Sequence, residues 1–347
     1  SNGGNNVPNG AKIVWADVAG IVTNQIISGS GNDAFLEFEV EENNIKHGNV
    51  LLAATKDGVI VWSWHIWITP ANVLNTVTFT NAQNKQYKFT NENLGWRYTN
   101  WKGTTYSSPR TVKVKIQQEI PNGAGKPEAI LTITQNNGGV REGATMIYQW
   151  GRKDPFPNWI ATGSMYEYPH NGGQTYAYTI QNPSGYVQIS NLTAHKWTWC
   201  NGLYYNVWSM NNTTTNSNDN PVIKTVYDPC PVGFHVPASN AFTGFSKNGQ
   251  NGGPINAKGE FNFGFDFYNK INNPDATLFF PAGGQREYYS TMSLGIEVLG
   301  SRGVYSTAIP ASDIGNSYIM GFESYYINVL QGTTHARGFA VRPVADN

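Results

Sequence analysis

Hydrophobic residues are densest at residues 59–68, a ten-residue segment with three tryptophans and no acidic or basic side chain other than one histidine. The segment is too short to span a membrane and is rich in β-branched and aromatic residues, so it predicts a strand. One face of this strand would carry Ile60, Trp62, Trp64, Ile66 and Ile68. The other face would carry Val59, Val61, Ser63, His65 and Trp67. We therefore expect burial on both sides, with Trp62 and Trp64 in the core and His65 as a hydrogen-bonded core residue.

A pairing partner for this strand precedes it in the chain. Residues 49–54 form another apolar run, and Lys56, Asp57 and Gly58 separate the two segments. An Asp-Gly pair supplies the positive backbone φ angles that a two-residue hairpin loop requires. The pattern therefore predicts a β-hairpin with residues 49–55 and 59–68 as its arms.

Shorter alternating segments predict strands elsewhere along the chain. These segments are residues 11–22, 34–40, 76–80, 86–90, 110–116, 129–134, 277–280, 303–307, 317–322 and 338–343. Residues 110–116 and 129–134 would form a second hairpin, with Val112, Val114 and Ile116 facing inward. At the C-terminus, Pro343 disfavours a central position in a sheet but allows an edge position.

Only one helix is predicted with a clear start and a clear face. Residues 238–246 would form it, with Ser239 as the N-cap and with Phe242 and Phe245 on one side. Residues 158–222 show no clear period, and residues 211–220 form a polar loop of low complexity. No unit repeats at a fixed interval, which argues against a solenoid or a propeller. The fold class expected from the pattern is α+β and β-rich.

Charge is scarce and balanced in this chain. Charged residues make up 13% of the 347 residues, about half of the usual share. Lys plus Arg and Asp plus Glu each number 23, so the net charge is zero. The chain therefore lacks the positive excess that nucleic acid or an anionic membrane attracts. A neutral surface rich in Asn, Thr and Tyr is common in proteins that work outside cells.

The N-terminal segment and the cysteines bear on the cellular setting. Residues 1–10 are typical of a flexible linker, which we interpret as the remainder after removal of an upstream targeting segment. No transmembrane run occurs, and we expect no insertion of the mature domain into a membrane. Cys200 and Cys230 either form one disulfide, closing a loop of roughly thirty residues, or are buried free thiols. Neither cysteine belongs to a CxxC motif, so no metal site is predicted.

Several aromatic-rich blocks follow one another in a defined order. They read WSWHIWIT, NLGW, YQWGRKDPFP, YDPCPVGFHVP, FFPAGGQR and RGFAVRPV. This succession, over about residues 48–344, resembles the C-terminal region of fimbrillin-family surface proteins of Bacteroides-type bacteria. That region is similar to the Fibrobacter succinogenes major paralogous domain. The resemblance implies a fold similar to C-type lectins and formylglycine-generating enzymes.

The resemblance also implies a domain plan and a location. Residues 11–347 would form a single large lectin-like domain, with an inserted β-hairpin segment at about residues 76–138. The protein would be an outer-membrane lipoprotein at the cell surface, anchored upstream of Ser1, and a pilus subunit in cell adhesion. Two blocks depart from the family: YWSST reads VYSTA, and VRCV reads VRPV. The second departure removes one possible partner of Cys230 and favours Cys200.

The best candidate for ligand binding is an aromatic cluster in the weakly patterned region. Its members are Trp197, Trp199, Tyr204, Tyr205 and Trp208. Aromatic rings stack on the apolar faces of sugars, and neighbouring Asn side chains bond to the hydroxyl groups. The competing interpretation is a small core beneath the loop of residues 211–220. The expected partners are a glycan, a host or bacterial surface protein, or other pilin subunits.

Catalysis is the alternative from another class. A carbohydrate-active or formylglycine-type enzyme would draw on acids such as Asp154, Asp228 and Glu287. However, no cysteine follows Cys230, and no GxSxG motif is present. Asp154 and Asp228, each followed by proline, are expected to cap turns, and Arg152 to pair with a buried carboxylate. No catalytic residue or cofactor is therefore predicted.

The sequence was also searched for a calcium site and for a segment suited to strand exchange. A calcium-dependent lectin site needs clustered carboxylates and amides, and Asn273-Pro274-Asp275 lacks the Trp-Asn-Asp signature that completes such sites. A purely structural pilus subunit would assemble by strand exchange at an exposed sheet edge. The expectation is a non-enzymatic adhesin-type pilin, at a fimbrial tip or as an accessory subunit.

Overall fold

The computed structural model describes residues 7–98, 110–118, 127–135, 143–157, 174–187, 198–200, 207–211, 213, 215–287, 297–311 and 315–346. Its architecture is β-rich and of the α+β class, as the pattern predicts. The chain divides into two compact units. The main unit comprises Ser1–Tyr98 and Gly143–Asn347, and the insert unit comprises Thr99–Glu142.

Short strands make up most of the regular structure. The strands before residue 142 are β1 (Gly10–Ala16), β2 (Thr23–Ser28), β3 (Phe35–Glu39), β4 (Gly48–Lys56), β5 (Val59–Ile68), β6 (Thr76–Thr80), β7 (Gln86–Thr90), β8 (Arg97–Tyr98), β9 (Arg110–Gln117) and β10 (Glu128–Gln135). The later strands are β11 (Gly143–Ala144), β12 (Met146–Gln149), β13 (Phe156–Pro157), β14 (Phe234–His235), β15 (Ala257–Lys258), β16 (Gly264–Tyr268), β17 (Thr277–Pro281), β18 (Arg302–Pro310), β19 (Asn316–Glu323), β20 (Tyr326–Thr334), β21 (Gly338–Phe339) and β22 (Val344–Ala345).

Helical segments are short within the described residues. The α-helix is α1 (Tyr176–Gln181), and 3₁₀ helices span Gly31–Asp33, Glu42–Asn44, Ala71–Leu74 and Ser239–Phe245. The sequence pattern missed α1, because aromatic and β-branched residues have low helix propensity. Thr175 caps the helix by accepting a hydrogen bond from the Tyr178 amide at 3.1 Å.

Antiparallel pairing organises the strands into small sheets. The larger sheets have the orders β1-β4-β5, β14-β22-β7-β6, β13-β12-β21, β15-β16-β17 and β18-β19-β20. The sheet β14-β22-β7-β6 joins strands that are far apart in the sequence, because β22 pairs with β7. This long-range pairing ties the C-terminus into the main unit.

β4 and β5 form the predicted hairpin. Lys56 pairs with Val59, so Asp57 and Gly58 alone make the loop. Their φ angles are 51° and 82°, the positive values that this loop type needs. β4 is buried along almost its whole length, since β1 and β5 flank it on both sides.

A β-bulge in β5 changes which side chains share a face. Along β5 the register passes from Ile60 to Trp62 while β4 advances by one residue, so Val61 is the extra residue. Ile60 therefore lies on the face opposite to Trp62 and Trp64. The prediction of one continuous apolar face from Ile60 to Ile68 is wrong for this reason.

The face of β5 that carries polar residues is turned toward buried partners. Ser63 Oγ donates a hydrogen bond to Asp154 Oδ1 at 2.7 Å. Trp67 Nε1 donates to the Trp96 carbonyl at 3.1 Å. Burial of these polar atoms is tolerated because each one is hydrogen-bonded.

His65 is hydrogen-bonded through both ring nitrogens, as the sequence predicts, and its side chain is partly buried. Asn49 Nδ2 donates to Asp17 Oδ2 and to the Gly95 carbonyl. Asn49 Oδ1 is therefore the acceptor for His65 Nε2, at 2.9 Å. His65 Nδ1 then accepts from the Tyr148 hydroxyl at 3.2 Å. Burial lowers the pKa of His65 from 6.5 to about 3, so the ring stays neutral.

The opposite face of β5 is only partly covered. Ile66 and Ile68 pack in a cluster with side chains of β3 and with Ile21 and Val22, which precede β2. Trp64 does not belong to that cluster and is 41% exposed. The prediction that Trp64 is a core residue is therefore wrong. Trp62 is partly exposed, and the Lys153 amine lies 4.5 Å from the centre of its ring.

A cluster of phenylalanine side chains, here called the phenylalanine core, fills one part of the main unit. Its fully buried members include Phe79, Phe89, Phe242, Phe245, Phe267 and Phe280. Phe242 and Phe245 are three residues apart and therefore share a face of the 3₁₀ helix Ser239–Phe245. The predicted helix and its buried face are confirmed.

The predicted N-cap of this helix is wrong. Ala238 occupies the cap position, and no side chain caps the helix. Ser239 lies inside the helix, where its Oγ accepts a hydrogen bond from the Asn218 amide at 2.9 Å. The hydroxyl therefore stabilises the loop before residue 220 and does not cap the helix.

A second cluster, here called the tryptophan core, contains Trp15, Tyr148, Trp150 and Trp208. The His335 ring stacks on Trp150, with ring centres 4.1 Å apart and an angle of 12° between the planes. Burial lowers the pKa of His335 from 6.5 to about 3. The tryptophan core thus includes a second neutral histidine.

The C-terminal strand has a central position. β22 lies between β14 and β7, where Val344 pairs with His235 and with Phe89. The prediction that Pro343 restricts this segment to a sheet edge is wrong. Pro343 precedes the strand and supplies only its carbonyl, which accepts from the Thr90 amide at 3.0 Å.

The insert unit contains the β9–β10 hairpin. The hairpin itself was predicted, and its register runs without a bulge from Arg110 opposite Gln135 to Gln117 opposite Glu128. The prediction that Val112, Val114 and Ile116 face inward is wrong, since all three side chains are exposed.

The insertion is shorter than the expected segment of residues 76–138. β6 and β7 belong to the main unit, where β7 pairs with the C-terminal strand β22. Pairing between distant segments, which the local pattern does not reveal, sets this boundary.

We expect Trp208→Ala to lower the free energy of unfolding by about 3–5 kcal/mol, because removal of a fully buried indole leaves a cavity in the core. Trp64→Ala is the matched control, and its cost should be about 1 kcal/mol since no enclosed cavity is left at an exposed site. Urea denaturation of both variants measures the difference. A larger loss for Trp64→Ala would contradict the assignment of the two tryptophans.

The buried histidines predict a loss of stability in acid. Between pH 6.5 and about 3, the unfolded chain protonates His65 and His335 while the folded chain does not. The contribution of the two neutral rings to the free energy of unfolding is complete above pH 6.5. As the pH decreases from 6.5 towards 3, each ring lowers the free energy of unfolding by about 1.4 kcal/mol per pH unit. His335→Phe keeps the ring and should reduce the pH slope by that amount in urea titrations from pH 7 to pH 5. An unchanged slope would show that His335 protonates in the folded protein.

Candidate functional site

The predicted aromatic site is not a ligand platform where it is described. Trp199 and Trp208 are almost completely buried. Trp199 Nε1 donates to the Trp150 carbonyl at 2.8 Å, and Trp208 Nε1 donates to the Arg152 carbonyl at 3.2 Å. Both indoles therefore serve the core, which is the competing interpretation of this cluster. Trp197, Tyr204 and Tyr205 lie outside the described residues.

The two cysteines are buried free thiols, so the possible disulfide between Cys200 and Cys230 is not formed. They belong to different hydrophobic clusters. Burial, followed by the nearby charge of Asp228, raises the pKa of the Cys230 thiol. The protonated thiol is a poor nucleophile and behaves as a small apolar side chain.

The polar residues of the family-like blocks mainly organise the backbone. Asp228 Oδ1 accepts from the Cys230 amide at 2.8 Å, and Oδ2 accepts from the Val236 amide at 2.9 Å. Asp228 therefore holds the turn, as expected. Arg152 differs from the expectation, because it donates to the Gly185 carbonyl at 2.6 Å and to Gln149 Oε1 at 2.9 Å. Within the described residues, no carboxylate oxygen forms an ion pair with Arg152.

Ser63, Lys153 and Asp154 form the described cluster that most resembles a catalytic arrangement. Lys153 Nζ lies 2.5 Å from Ser63 Oγ and 2.6 Å from Asp154 Oδ1. Burial lowers the pKa of the Lys153 amine, and the Asp154 carboxylate opposes that shift. Ser63 is only 2% exposed, so a substrate cannot approach its hydroxyl. The geometry is that of a buried ion pair that fixes β5 to the segment before β13.

An open pocket with a volume of about 370 Å³ lies at one end of the sheet β14-β22-β7-β6. We call it the Asp219 pocket. Its polar and aromatic lining includes Lys85, Tyr87, Asp219, Asn220, His235 and Asp346. These residues come from four segments that are far apart in the sequence.

The sheet supplies the wall of the Asp219 pocket. Tyr87 precedes the buried Phe89 by two residues, so both rings project from the same face of β7. Their ring centres are 6.5 Å apart. His235 pairs with Val344 across β14 and β22, which brings the C-terminal segment to the same wall. The pocket therefore continues the sheet face that covers the phenylalanine core.

Asp219 is the most firmly held polar group of the pocket. Its Oδ1 accepts from the Tyr87 hydroxyl at 2.6 Å and from Asn81 Nδ2 at 2.7 Å. Its Oδ2 accepts from Asn240 Nδ2 at 3.0 Å. An ionised carboxylate has about four acceptor sites, so Oδ2 keeps capacity for a further donor. Burial raises the pKa of the Tyr87 hydroxyl, and the hydrogen bond to Asp219 raises it further.

The rim of the pocket carries groups of both signs. His235 Nδ1 and Asp346 Oδ1 are 2.6 Å apart, and the Asp346 side chain is half exposed. Lys85 and Asn220 are exposed on the rim. The rim therefore offers hydrogen-bond donors and acceptors that solvent, or a ligand, can reach.

The sequence pattern did not indicate this pocket. Asp219 is the acidic residue within the polar loop of residues 211–220, and that isolated charge is the one signal available. Tyr87 is an alternating residue of a strand, and Asp346 is near the C-terminus. Only the pairing of β22 with β7 and β14 brings them together.

The described residues were also searched for metal-binding groups and for helices that could span a membrane. Across the described ranges, no group of three or more His, Cys, Asp or Glu side chains is placed to hold a metal ion. No helix in the same ranges has the length and apolar character needed to cross a bilayer.

Comparisons of the chain with protein-family models, with curated proteins and with solved structures found no match.

The Lys153–Asp154 pair can be tested by its effect on stability. Lys153→Met leaves a buried carboxylate without its cation and should cost about 3–5 kcal/mol in urea unfolding. Lys270→Met is the control, since it breaks an exposed ion pair of similar length, 2.7 Å, with Asp275. The control should leave the unfolding midpoint within experimental error. Equal effects of the two substitutions would rule out a buried, structural role for Lys153.

Proposed function

We propose that this chain is an extracellular, non-enzymatic adhesin-type pilin that binds a neutral saccharide in the Asp219 pocket. It would act as a fimbrial tip or accessory subunit, on a lipoprotein exposed at the cell surface. The Asp219 pocket carries this proposal, because it combines an aromatic ring with fixed hydrogen-bonding groups. The ordered aromatic blocks of the sequence support the assignment to a fimbrillin-like protein.

The chemistry of the pocket favours hydroxyl groups as ligands. Asp219 Oδ2 and the Asp346 carboxylate are acceptors for hydroxyl protons, while Lys85 and Asn220 supply donors. Asp219 is already held by three hydrogen bonds, so binding does not have to order its side chain. A preformed acceptor of this kind suits a ligand with several closely spaced hydroxyl groups.

Apolar surface and net charge narrow the ligand class to a neutral sugar. Tyr87 and Pro221 line the pocket and offer apolar contacts for the C–H face of a sugar ring. The lining has two acidic side chains, Asp219 and Asp346, and one lysine, Lys85. A strongly anionic ligand would meet repulsion from this lining. A volume of about 370 Å³ lies at the lower end of the usual range for small-molecule sites.

A purely structural subunit that assembles by strand exchange is the second candidate. It is favoured by the position of β1, which pairs with β4 alone and forms an edge of its sheet. Removal of β1 would withdraw its own Trp15 from the tryptophan core, where this side chain is buried. The strand is therefore held by more than its backbone hydrogen bonds, which makes exchange costly.

A glycan array probed with the folded full chain tests the leading proposal. We expect binding to neutral saccharides, and the dissociation constant of the best ligand should rise about tenfold in Asp346→Ala, which removes a charged acceptor. Asp275→Ala is the control, because Asp275 is another exposed, paired carboxylate outside the pocket. It should bind as the unaltered protein does.

Two results would overturn the proposal. One is a folded protein, verified by circular dichroism, that binds no saccharide on the array. The other is an equal loss of binding in Asp346→Ala and Asp275→Ala. Hydrolysis or other conversion of a bound saccharide would instead support the enzyme alternative.

A further inference from the structure

The β9–β10 hairpin presents an apolar face to solvent. Residues directly opposite in an antiparallel pair share a face. Val112, Val114 and Ile116 lie opposite Ile133, Leu131 and Ala129. The five larger side chains of this set are between 39% and 60% exposed. A two-stranded ribbon with this much exposed apolar surface is marginally stable unless further strands or another layer are added.

The alternation of hydrogen-bonded and non-hydrogen-bonded pairs in the hairpin identifies the backbone amides that point outward. The Gln118 amide donates to the Pro127 carbonyl at 3.1 Å, so residues 118 and 127 are a hydrogen-bonded pair. Hydrogen-bonded and non-hydrogen-bonded pairs alternate along an antiparallel ladder. The amides of residues 128, 130, 132 and 134 on β10 therefore point away from β9. On β9, those of residues 111, 113, 115 and 117 point away from β10.

The outer edges of β9 and β10 differ in how far their residues oppose pairing with a further strand. β9 carries Lys113 and Lys115 at outward-pointing positions, and charged lysines are a common block on edge strands. Between Ala129 and Thr134, β10 has no charged residue, no proline and no bulge. Within the described chain, neither edge pairs with a third strand. β10 is therefore the edge of this hairpin that is open to another strand.

We propose that β10 pairs antiparallel with β10 of a second copy of this chain, with the two-fold axis at Leu131. Each Leu131 would then lie opposite Leu131 of the second copy, and Ile130 opposite Thr132. The outward-pointing amides of residues 128, 130, 132 and 134 would form the new ladder. The product is a four-stranded sheet with the order β9-β10-β10-β9.

A second copy is the occupant that fits both the charges and the faces of β10. In this register Glu128 lies opposite Thr134 of the second copy, so no like charges meet. The apolar faces of both hairpins lie on the same side of the new sheet, because odd-numbered residues pair with odd-numbered residues. Pairing through β9 about Val114 would instead place Lys113 opposite Lys115, which is repulsive. Self-pairing is therefore favoured at β10 and opposed at β9.

Two proline variants test this assignment on the full chain. Thr132→Pro removes an outward-pointing amide of β10 and leaves the β9–β10 ladder intact. Lys113→Pro does the same on β9. We expect light scattering after size exclusion to show a concentration-dependent dimer for the unaltered chain. Its dissociation constant should rise about tenfold or more in Thr132→Pro and stay unchanged or fall in Lys113→Pro.

The proposed register is tested by oxidative cross-linking. Leu131→Cys places two thiols opposite each other at a non-hydrogen-bonded pair, where side chains are close enough for a disulfide. Val114→Cys is the control, since it lies directly across the hairpin from Leu131 and is also exposed. The native cysteines are buried and do not compete. Only Leu131→Cys should give a covalent dimer rapidly.

Three outcomes would overturn the proposal. They are a monomeric chain at all accessible concentrations, equal loss of the dimer in both proline variants, and equal cross-linking of both cysteine variants. Association is measured without saccharide, so its failure leaves the proposed function of the Asp219 pocket untouched. Failure of saccharide binding would likewise leave the β10 interface in place.

Discussion

The main unit depends on a buried amide that connects four parts of the chain. Asn49 in β4 donates to Asp17 after β1 and to the Gly95 carbonyl, and it accepts from His65 in β5. Tyr148 in β12 extends the same network through its hydroxyl. Because unpaired polar groups are costly in the interior, loss of one of these contacts leaves its partner unpaired and destabilises the network. The tryptophan core can therefore include polar side chains and still adopt one defined packing arrangement.

This constraint explains why the face of β5 with more polar residues is the better buried one. Ser63, His65 and Trp67 each find a fixed hydrogen-bond partner. Trp64, on the more apolar face, lies beyond the cluster that covers Ile66 and Ile68 and is left in contact with solvent. Satisfied hydrogen bonds and available covering segments, rather than hydrophobicity alone, decide which face is inside.

The Asp219 pocket and the β9–β10 hairpin belong to different compact units. The Asp219 pocket is built on a sheet that also packs on the phenylalanine core, so its polar groups are preorganised. The β9–β10 hairpin belongs to a different compact unit and exposes both its edges and its apolar residues. The proposed saccharide binding would therefore use polar groups of the pocket, and the proposed self-association would use the backbone edge of the hairpin.

Elements whose geometry is local could be predicted from the residue pattern alone. Asp57-Gly58 sets the β4–β5 loop because its backbone accepts positive φ angles, and the spacing of Phe242 and Phe245 sets the buried face of a helix. The alternation of residues 110–116 and 129–134 likewise indicated a hairpin, although not what would cover it. Long-range packing, by contrast, places Trp199 and Trp208 in the core, leaves Trp64 exposed and gives β22 a central position. It also assembled the Asp219 pocket from four distant segments. Burial and site formation depend on which remote segment packs against a residue, and a local pattern carries no information about that partner.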